Sequence, residues 1–431
     1  MKATGSVWKT LVASLAGVFT SPSHALFEEL ISAWVIAPGR RTITAMVAVM
    51  DPCRRGAHDA YHRLVRAGAW SMSALWAAMV EAVVAQAGTG AIQLIIDDTL
   101  LHRPGRKVQG AGSWRDAVRS SAKTVVFARG LNFVVLAVRI TPPWGGMPIA
   151  LPVGLALHRK DGPNLIELAR GLVLRVAELL PDRDFVLCTD GAYATLAGHD
   201  LPRTTVVSRI RRDAALYQDP PPRNGRRGRP RTKGERLPTP PEMAAKLPAK
   251  HWTRVDINWR GRTQTRLVWS RPVLWYRVCP KTMVLLVIVR DPEGAEPDDY
   301  FFTTDCSMAS ASVASIYAGR WAIEVTNRDA KQVVGAHQPQ SWKHQGPERA
   351  GALGFWLHSA IWLTYITATG NRRPPMIERD WYPGKTTPSF ADAIAEIRRA
   401  IWRERISPDS TPTPLTPKMT TVLVEALATA A

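Results

Sequence analysis

Four side chains of different chemistry recur at helical spacing in one segment, Tyr317-Ala-Gly-Arg320-Trp-Ala-Ile-Glu324-Val-Thr-Asn-Arg-Asp-Ala-Lys331. At about 100° per residue, Tyr317 and Lys331 fall about 20° to either side of Glu324, and Arg320 about 40° away. A phenol, a guanidinium, a carboxylate and an ammonium would then share one stripe. Two further carboxylates stand where apolar, strand-like runs stop: Ile92–Ile96 is followed by Asp97-Asp98-Thr99, and Phe185–Thr189 by Asp190-Gly191. Strand ends carrying Asp97 and Asp190, with a helix carrying Glu324, can bring three carboxylates together, and hard divalent cations need such oxygen ligands. Cutting a phosphodiester would suit this set, with carboxylates holding metal ions and protein cations holding phosphates. Tyr317, Arg320 and Lys331 are the candidates to position phosphates, Arg320 as a planar fork and Lys331 as a point charge. The competing reading is a solvated helix face, in which Arg320 and Glu324 form a simple i,i+4 pair worth a few tenths of a kcal/mol. Asp97 is favoured over its neighbour Asp98 as the first ligand, because it directly ends the apolar run and alternation sends Asp98 to the opposite side.

The elements that must position these residues read as follows. From Ser23 to Gln86 apolar residues return every three to four positions, which predicts a small helical domain over residues 1–90. Within it, Pro38–Thr44, with Arg40 and Arg41, reads either as a turn opening a phosphate-facing helix or as an ordinary basic loop. Residues 91–210 order as strand, strand, strand, helix, strand, helix, strand, a mixed α/β sheet. Residues 211–303 begin with a Pro, Gly and Arg-rich linker and continue as β-patterned runs at Trp252–Trp259, Gln264–Ser270, Val273–Val278 and Met283–Val289, which predicts an inserted β subdomain. Residues 304–370 turn helical again, with one helix over Ser307–Val334 terminated by Gly335 and another over Glu348–Ala368. Residues 371–431 form a Pro-rich tail with a helix near Phe390–Arg405.

Composition narrows the partner. The 431 residues carry 56 Lys plus Arg against 36 Asp plus Glu, a formal charge of +20, which points to a polyanion. With 46% hydrophobic residues the chain is neither a disordered tail nor a bundle of membrane spans. Between Arg203 and Arg236 there are 11 basic residues against three acidic ones. The core of that segment, Arg226, Arg227, Arg229 and Arg231 among Gly and Pro, is similar to the Arg-Gly-Arg-Pro centre of AT-hook peptides, which enter an A·T minor groove; a flexible loop binding phosphates is the alternative. Both readings bind nucleic acid. Four scattered cysteines form no zinc or disulfide pattern, and the thin apolar run in the first 25 residues makes a poor secretory leader, so a reducing cytoplasm is expected, on the nucleoid when DNA is bound.

The pattern Y-x-x-R-x-x-x-E-x-x-x-x-x-x-K, preceded by Asp at two strand ends, resembles the DDE-type transposases of bacterial insertion sequences, in the branch with a β insertion before the glutamate helix. The resemblance extends over most of the chain and implies a ribonuclease-H-like catalytic core with an N-terminal helical DNA-binding domain. It implies that Asp97, Asp190 and Glu324 bind two Mg²⁺ ions, with Mn²⁺ as a substitute. The implied substrates are double-stranded DNA carrying terminal inverted repeats and a target DNA, handled by a homodimer on DNA because two ends need two active sites. Trp252, Trp259, Trp269 and Trp275 lie in the insertion, where some related transposases hold a flipped base, although a core role is the more ordinary one. A catalytically silent, transposase-derived DNA-binding protein or repressor is the second reading, and a nuclease without strand joining the third.

Overall fold

Apolar spacing near the N-terminus produces helices that pack inward on one side. In a computed structural model, which describes residues 3–50, 57–121, 123–222, 230–259, 262–406 and 415–430, these are α1 (Thr4–Ala13), α2 (Ser21–Ile36), α3 (Ile43–Met50), α4 (His58–Ala67) and α5 (Met72–Val84). The apolar run from Leu64 to Val84 is divided between α4 and α5, which bend by 86°. Gly68 ends α4, and the Ser71 Oγ accepts from the Ala74 N–H at 3.2 Å to start α5. No single helix among the described residues is long and apolar enough to cross a membrane.

Ten strands among the described residues form one sheet. They are β1 (Ile92–His102), β2 (Gly112–Arg115), β3 (Phe127–Ile140), β4 (Ile149–His158), β5 (Phe185–Thr189), β6 (Thr204–Arg209), β7 (Thr253–Trp259), β8 (Arg262–Val273), β9 (Val284–Arg290) and β10 (Asp299–Thr303). The core order is β4-β3-β1-β5-β6, with the first three strands antiparallel and β1, β5 and β6 parallel. This mixed order is compatible with a ribonuclease-H-like core. The helix α6 (Leu165–Leu179), opened by an Asn164–Glu167 capping box, joins β4 to β5. Strand β1 does not end at Asp97. It runs to His102 because β3 pairs with it throughout, Asp97 opposite Val135 and Asp98 opposite Val134.

Strands β7 to β10 extend the same sheet. Strand β10 pairs antiparallel with β6 (Phe301 opposite Arg209), and β9, β8 and β7 follow outward. The runs read as Gln264–Ser270 and Val273–Val278 merge into β8 up to Val273, after which Leu274 bridges to Tyr217. The short helix α7 (Pro240–Lys246) lies in the linker.

After the sheet come α8 (Ser310–Ala318), a 3₁₀ turn at Gly319–Trp321, α9 (Ala322–Gln332), α10 (Gly346–Thr369), α11 (Phe390–Arg405) and α12 (Pro417–Thr429). Helix α10 is apolar all round and buried along almost its whole length, packed against α1, α4, α5, α11 and β4. One apolar cluster therefore runs from Trp8 through the sheet to Ile397, crossing the expected boundaries at 90 and 370. Trp34 of α2 donates to the Val334 carbonyl at 2.8 Å, and Arg398 of α11 to the Val35 carbonyl at 2.7 Å, tying the chain's two ends together.

Candidate active site

Asp97 and Asp98 lie just beyond the point where the parallel pairing of β1 with β5 stops, at Ile95 opposite Cys188. Asp190 leaves the end of β5, a strand buried at every residue. Its Oδ1 accepts from the Ala192 N–H at 2.9 Å and the Tyr193 N–H at 3.4 Å, capping a 3₁₀ segment at Gly191–Gly198. The Ser208 hydroxyl of β6 donates to its carbonyl at 2.8 Å. Sheet pairing and a helical cap thus set the two aspartate positions together.

The segment carrying Glu324 crosses the sheet face from the inserted strands toward β1 and β4. It is not the single helix of the sequence reading: Tyr317 ends in α8, Arg320 sits in the 3₁₀ turn, and Glu324 and Lys331 lie on α9. The break falls at Gly319, where a Cβ would lie 1.9 Å from Nη1 of Arg139, a β3 side chain passing beneath. Thr326 anchors α9 by donating to the Ala150 carbonyl at 2.7 Å. Despite the break, the stripe partly converges. Arg320 Nη2 is 3.3 Å from Glu324 Oε1 and Nη1 is 3.7 Å from Asp97 Oδ2, so one guanidinium joins α9 to β1. Its carbon also stands 5.8 Å from the Tyr317 ring centroid. Tyr317 packs on Phe301 at 4.3 Å with Arg209 on its ring, so its phenol is largely enclosed.

The electrostatics are those of crowded carboxylates. Asp97 is pushed up to about 7, first by burial and then by the charge of Glu324, with Asp98 and Asp190 adding and Arg320 opposing. Burial also raises Asp98, against hydrogen bonds from Tyr193 (3.1 Å) and Asn132. Burial works against the Arg320 charge, but Tyr317, Asp97 and Glu324 outweigh it and hold the guanidinium above its ordinary value. Lys331 is lowered by burial, with Asp116, Asp97, Glu324 and Asp98 opposing. Among the described residues no three His, Cys, Asp or Glu side chains are gathered as a closed metal site. The donor set nevertheless fits a hard divalent cation, because the groups in mutual reach are carboxylates whose repulsion such an ion would relieve. Arg320 Nη1, buried without a hydrogen-bond partner, lies beside the Asp97 carboxylate.

The other sequence-derived candidates are spread out. Arg40 and Arg231 are exposed. Arg41 is 5% exposed and turned inward, its N–H donating to Gln338 Oε1 at 2.7 Å and its Nη1 to the Gly39 carbonyl at 3.1 Å. Thr42 serves as a helix cap, accepting from the Ala45 N–H at 3.1 Å. Arg226, Arg227 and Arg229 lie outside the described residues. Of the four tryptophans in the insertion, Trp259 and Trp275 are buried.

Sequence reasoning passed over Tyr193 and Asn132, which hold Asp98, and the pair His102–Asp116, whose Nε2 and Oδ2 are 2.8 Å apart. A polar Asn inside the apolar run of β3 and a Tyr three residues after Asp190 were the available signals.

A family model described as DDE superfamily endonuclease matches residues 15–157 and 158–266. The match contains Asp97 and Asp190 and stops before the segment that carries Glu324. No curated protein matches the chain. Because the matched residues make up more than half of the chain, and their strands have the order just described, the chain belongs to the DDE superfamily endonucleases.

Proposed function

We propose that this endonuclease-family chain is a DNA transposase that binds terminal inverted repeats, cleaves the element ends by metal-dependent hydrolysis and joins the 3′-hydroxyl ends to target DNA. The observation that carries the reading is the Arg320 bridge, which brings Glu324, from beyond the family match, to Asp97 within it. Asp97, Asp190 and Glu324 would hold two Mg²⁺ ions, with Mn²⁺ as a substitute. Asp97 is preferred to Asp98 because Asp98 is engaged by Tyr193 and Asn132, whereas Asp97 faces Arg320 and Glu324. Bound ions of this kind make a water or 3′-hydroxyl nucleophilic and stabilise the leaving oxygen.

The chain's own cations do the rest. Lys331, within electrostatic reach of Asp97 and Glu324, would hold a phosphate beside the cut. Arg320 would turn Nη1, which makes no hydrogen bond, from its ion pair with Asp97 to a phosphate oxygen, keeping its charge against Glu324. Tyr317 supports Arg320 from behind. Exposed Arg40 and Arg231, with Arg226, Arg227 and Arg229 of the linker, would bind DNA outside the cut, and two copies of the chain would act on two ends.

The test uses labelled DNA bearing the element's own end, with Mg²⁺ or EDTA, and a Glu324→Gln variant. Wild type should cut and join only with Mg²⁺. The variant should keep binding but lose more than the roughly 10–100-fold typical of altering a metal's outer-shell partner. Undiminished cutting by the variant would sink the assignment. A silent, transposase-derived DNA-binding protein or repressor is the second reading, favoured by the guanidinium that already neutralises Asp97 and Glu324; binding without cutting under any divalent ion would select it.

A further inference from the structure

Two cavities of about 710 and 210 Å³ share Gln340, Ser341 and Trp342 in their walls. The larger is lined by Arg40, Arg106, Lys107 and His337. His102 lines it as well, at the end of β1, the strand that carries Asp97. The smaller one is lined by His62, Arg66 and Lys343, with Asp59 as its acidic residue. Trp342 lines both and is 53% exposed, as Trp321 is, with Trp381 at 79%, in a chain that buries most of its large aromatic rings.

The exposed indole has a braced base. Arg103, itself 9% exposed, donates to the carbonyls of His337 (2.6 Å), Pro339 (2.6 Å) and Ser341 (2.5 Å). The Trp342 carbonyl accepts from the Gln109 N–H at 2.9 Å. Two residues on, His344 is held at φ 53°, a left-handed conformation that residues with side chains seldom adopt. An exposed aromatic ring on a braced backbone, bordering two hollows lined by cations, is the pairing of features that binds single-stranded nucleic acid: cations follow the phosphates and the ring stacks a base. In the interior of a duplex both faces of every base are already covered, so away from a helix end the indole can stack only on an unpaired nucleotide.

We propose that Trp342 and the cations on either side of it form a binding track for an unpaired strand of DNA leading away from the cut. The proposal rests on the transposase reading only for the identity of the polymer. It is tested in EDTA, where nothing is cut, by fluorescence anisotropy of the full chain with two labelled probes: a duplex ending in a three-nucleotide single-stranded overhang, and the same duplex with a blunt end. Wild type should prefer the overhang probe. Trp342→Ala should weaken overhang binding by about 5- to 150-fold, the range for removing one stacking aromatic, and leave blunt binding within about twofold. Trp342→Phe should restore most of the loss. An unchanged preference in Trp342→Ala, or equal loss on both probes, overturns the track and leaves Trp342 on a duplex-facing or purely structural surface. Failure of the transposase reading is registered separately, by cutting that persists in Glu324→Gln. A chain that binds neither probe removes both.

Discussion

His358, in the middle of α10, is the residue whose environment departs furthest from what its chemistry favours. It is buried, neither ring nitrogen has a hydrogen-bond partner, and its ring stacks on Phe390 at 4.5 Å. Burial pushes its pKa from 6.5 down to about 3. Between those values the unfolded chain binds a proton that the folded chain refuses, so stability falls as pH drops below 6.5. At pH 5 the loss is about 2 kcal/mol. His358→Phe should remove it and keep the stack: the urea midpoints of variant and wild type should separate between pH 7.5 and pH 5, with the variant the more stable in acid. Parallel pH profiles would refute this account. At the same scale, the i,i+4 pairing of Arg320 with Glu324 was legible in the spacing, whereas its approach to Asp97 was not, since that contact joins residues far apart in sequence. The supports of Asp98 were not legible, since Tyr193 and Asn132 reach it only through the fold.

Two helices with a local cause were readable, although α7, opened by its own Thr239–Glu242 box, was missed. Helix α6 follows its capping box, and α11 follows the Ser389–Asp392 box that opens it. The reading failed where the cause lies far away in sequence. Gly319 is a weak local signal for the break after α8, and the close approach of Arg139 from β3, which leaves no room for a side chain there, could not be read locally. Strand β1 outlasts its apolar run because β3 supplies partners as far as His102. Gly198 shows the same long-range logic. It closes the 3₁₀ segment that Asp190 caps, and a Cβ there would lie 1.9 Å from the Val278 carbonyl oxygen, a main-chain atom that cannot rotate away. Gly198→Ala should therefore destabilise the fold by about 1–3 kcal/mol, the usual range for overpacking, and displace the segment following Asp190. A thermal melt within a degree of wild type would show that this contact yields at no cost.

For the whole molecule, the +20 charge divides into two populations. Some arginines face inward and gather main-chain carbonyls: Arg103 at residues 337–341, Arg349 at Gly68 and Trp70, Arg398 at Val35 and Ala430. Composition could not separate these from the exposed ones. The apolar core has a similar lesson, since a cluster joining Trp8 to Ile397 cannot be divided at the composition shifts that suggested domains. Residues 211–303 pack instead in two other clusters, which they share with Val186, Ala194, Val207 and Ile210, so removing them should fail to yield a smaller soluble core. The deletion takes away β10, leaving β6 with an open edge ready to pair with another chain. Size-exclusion chromatography should find aggregate, and a monodisperse product would contradict the single-sheet reading.

That sheet also sets how a long, stiff partner could be read. Strands β7 to β10 continue the ladder of β1, β5 and β6 without a joint, so the separation between the outer strands and the carboxylates is established when the chain folds. A DNA segment spanning both would have to bend or twist to match a gauge that does not adjust. Sequences that deform easily would then be favoured at positions no side chain touches, and discrimination would depend on the stiffness of the substrate as well as on its bases.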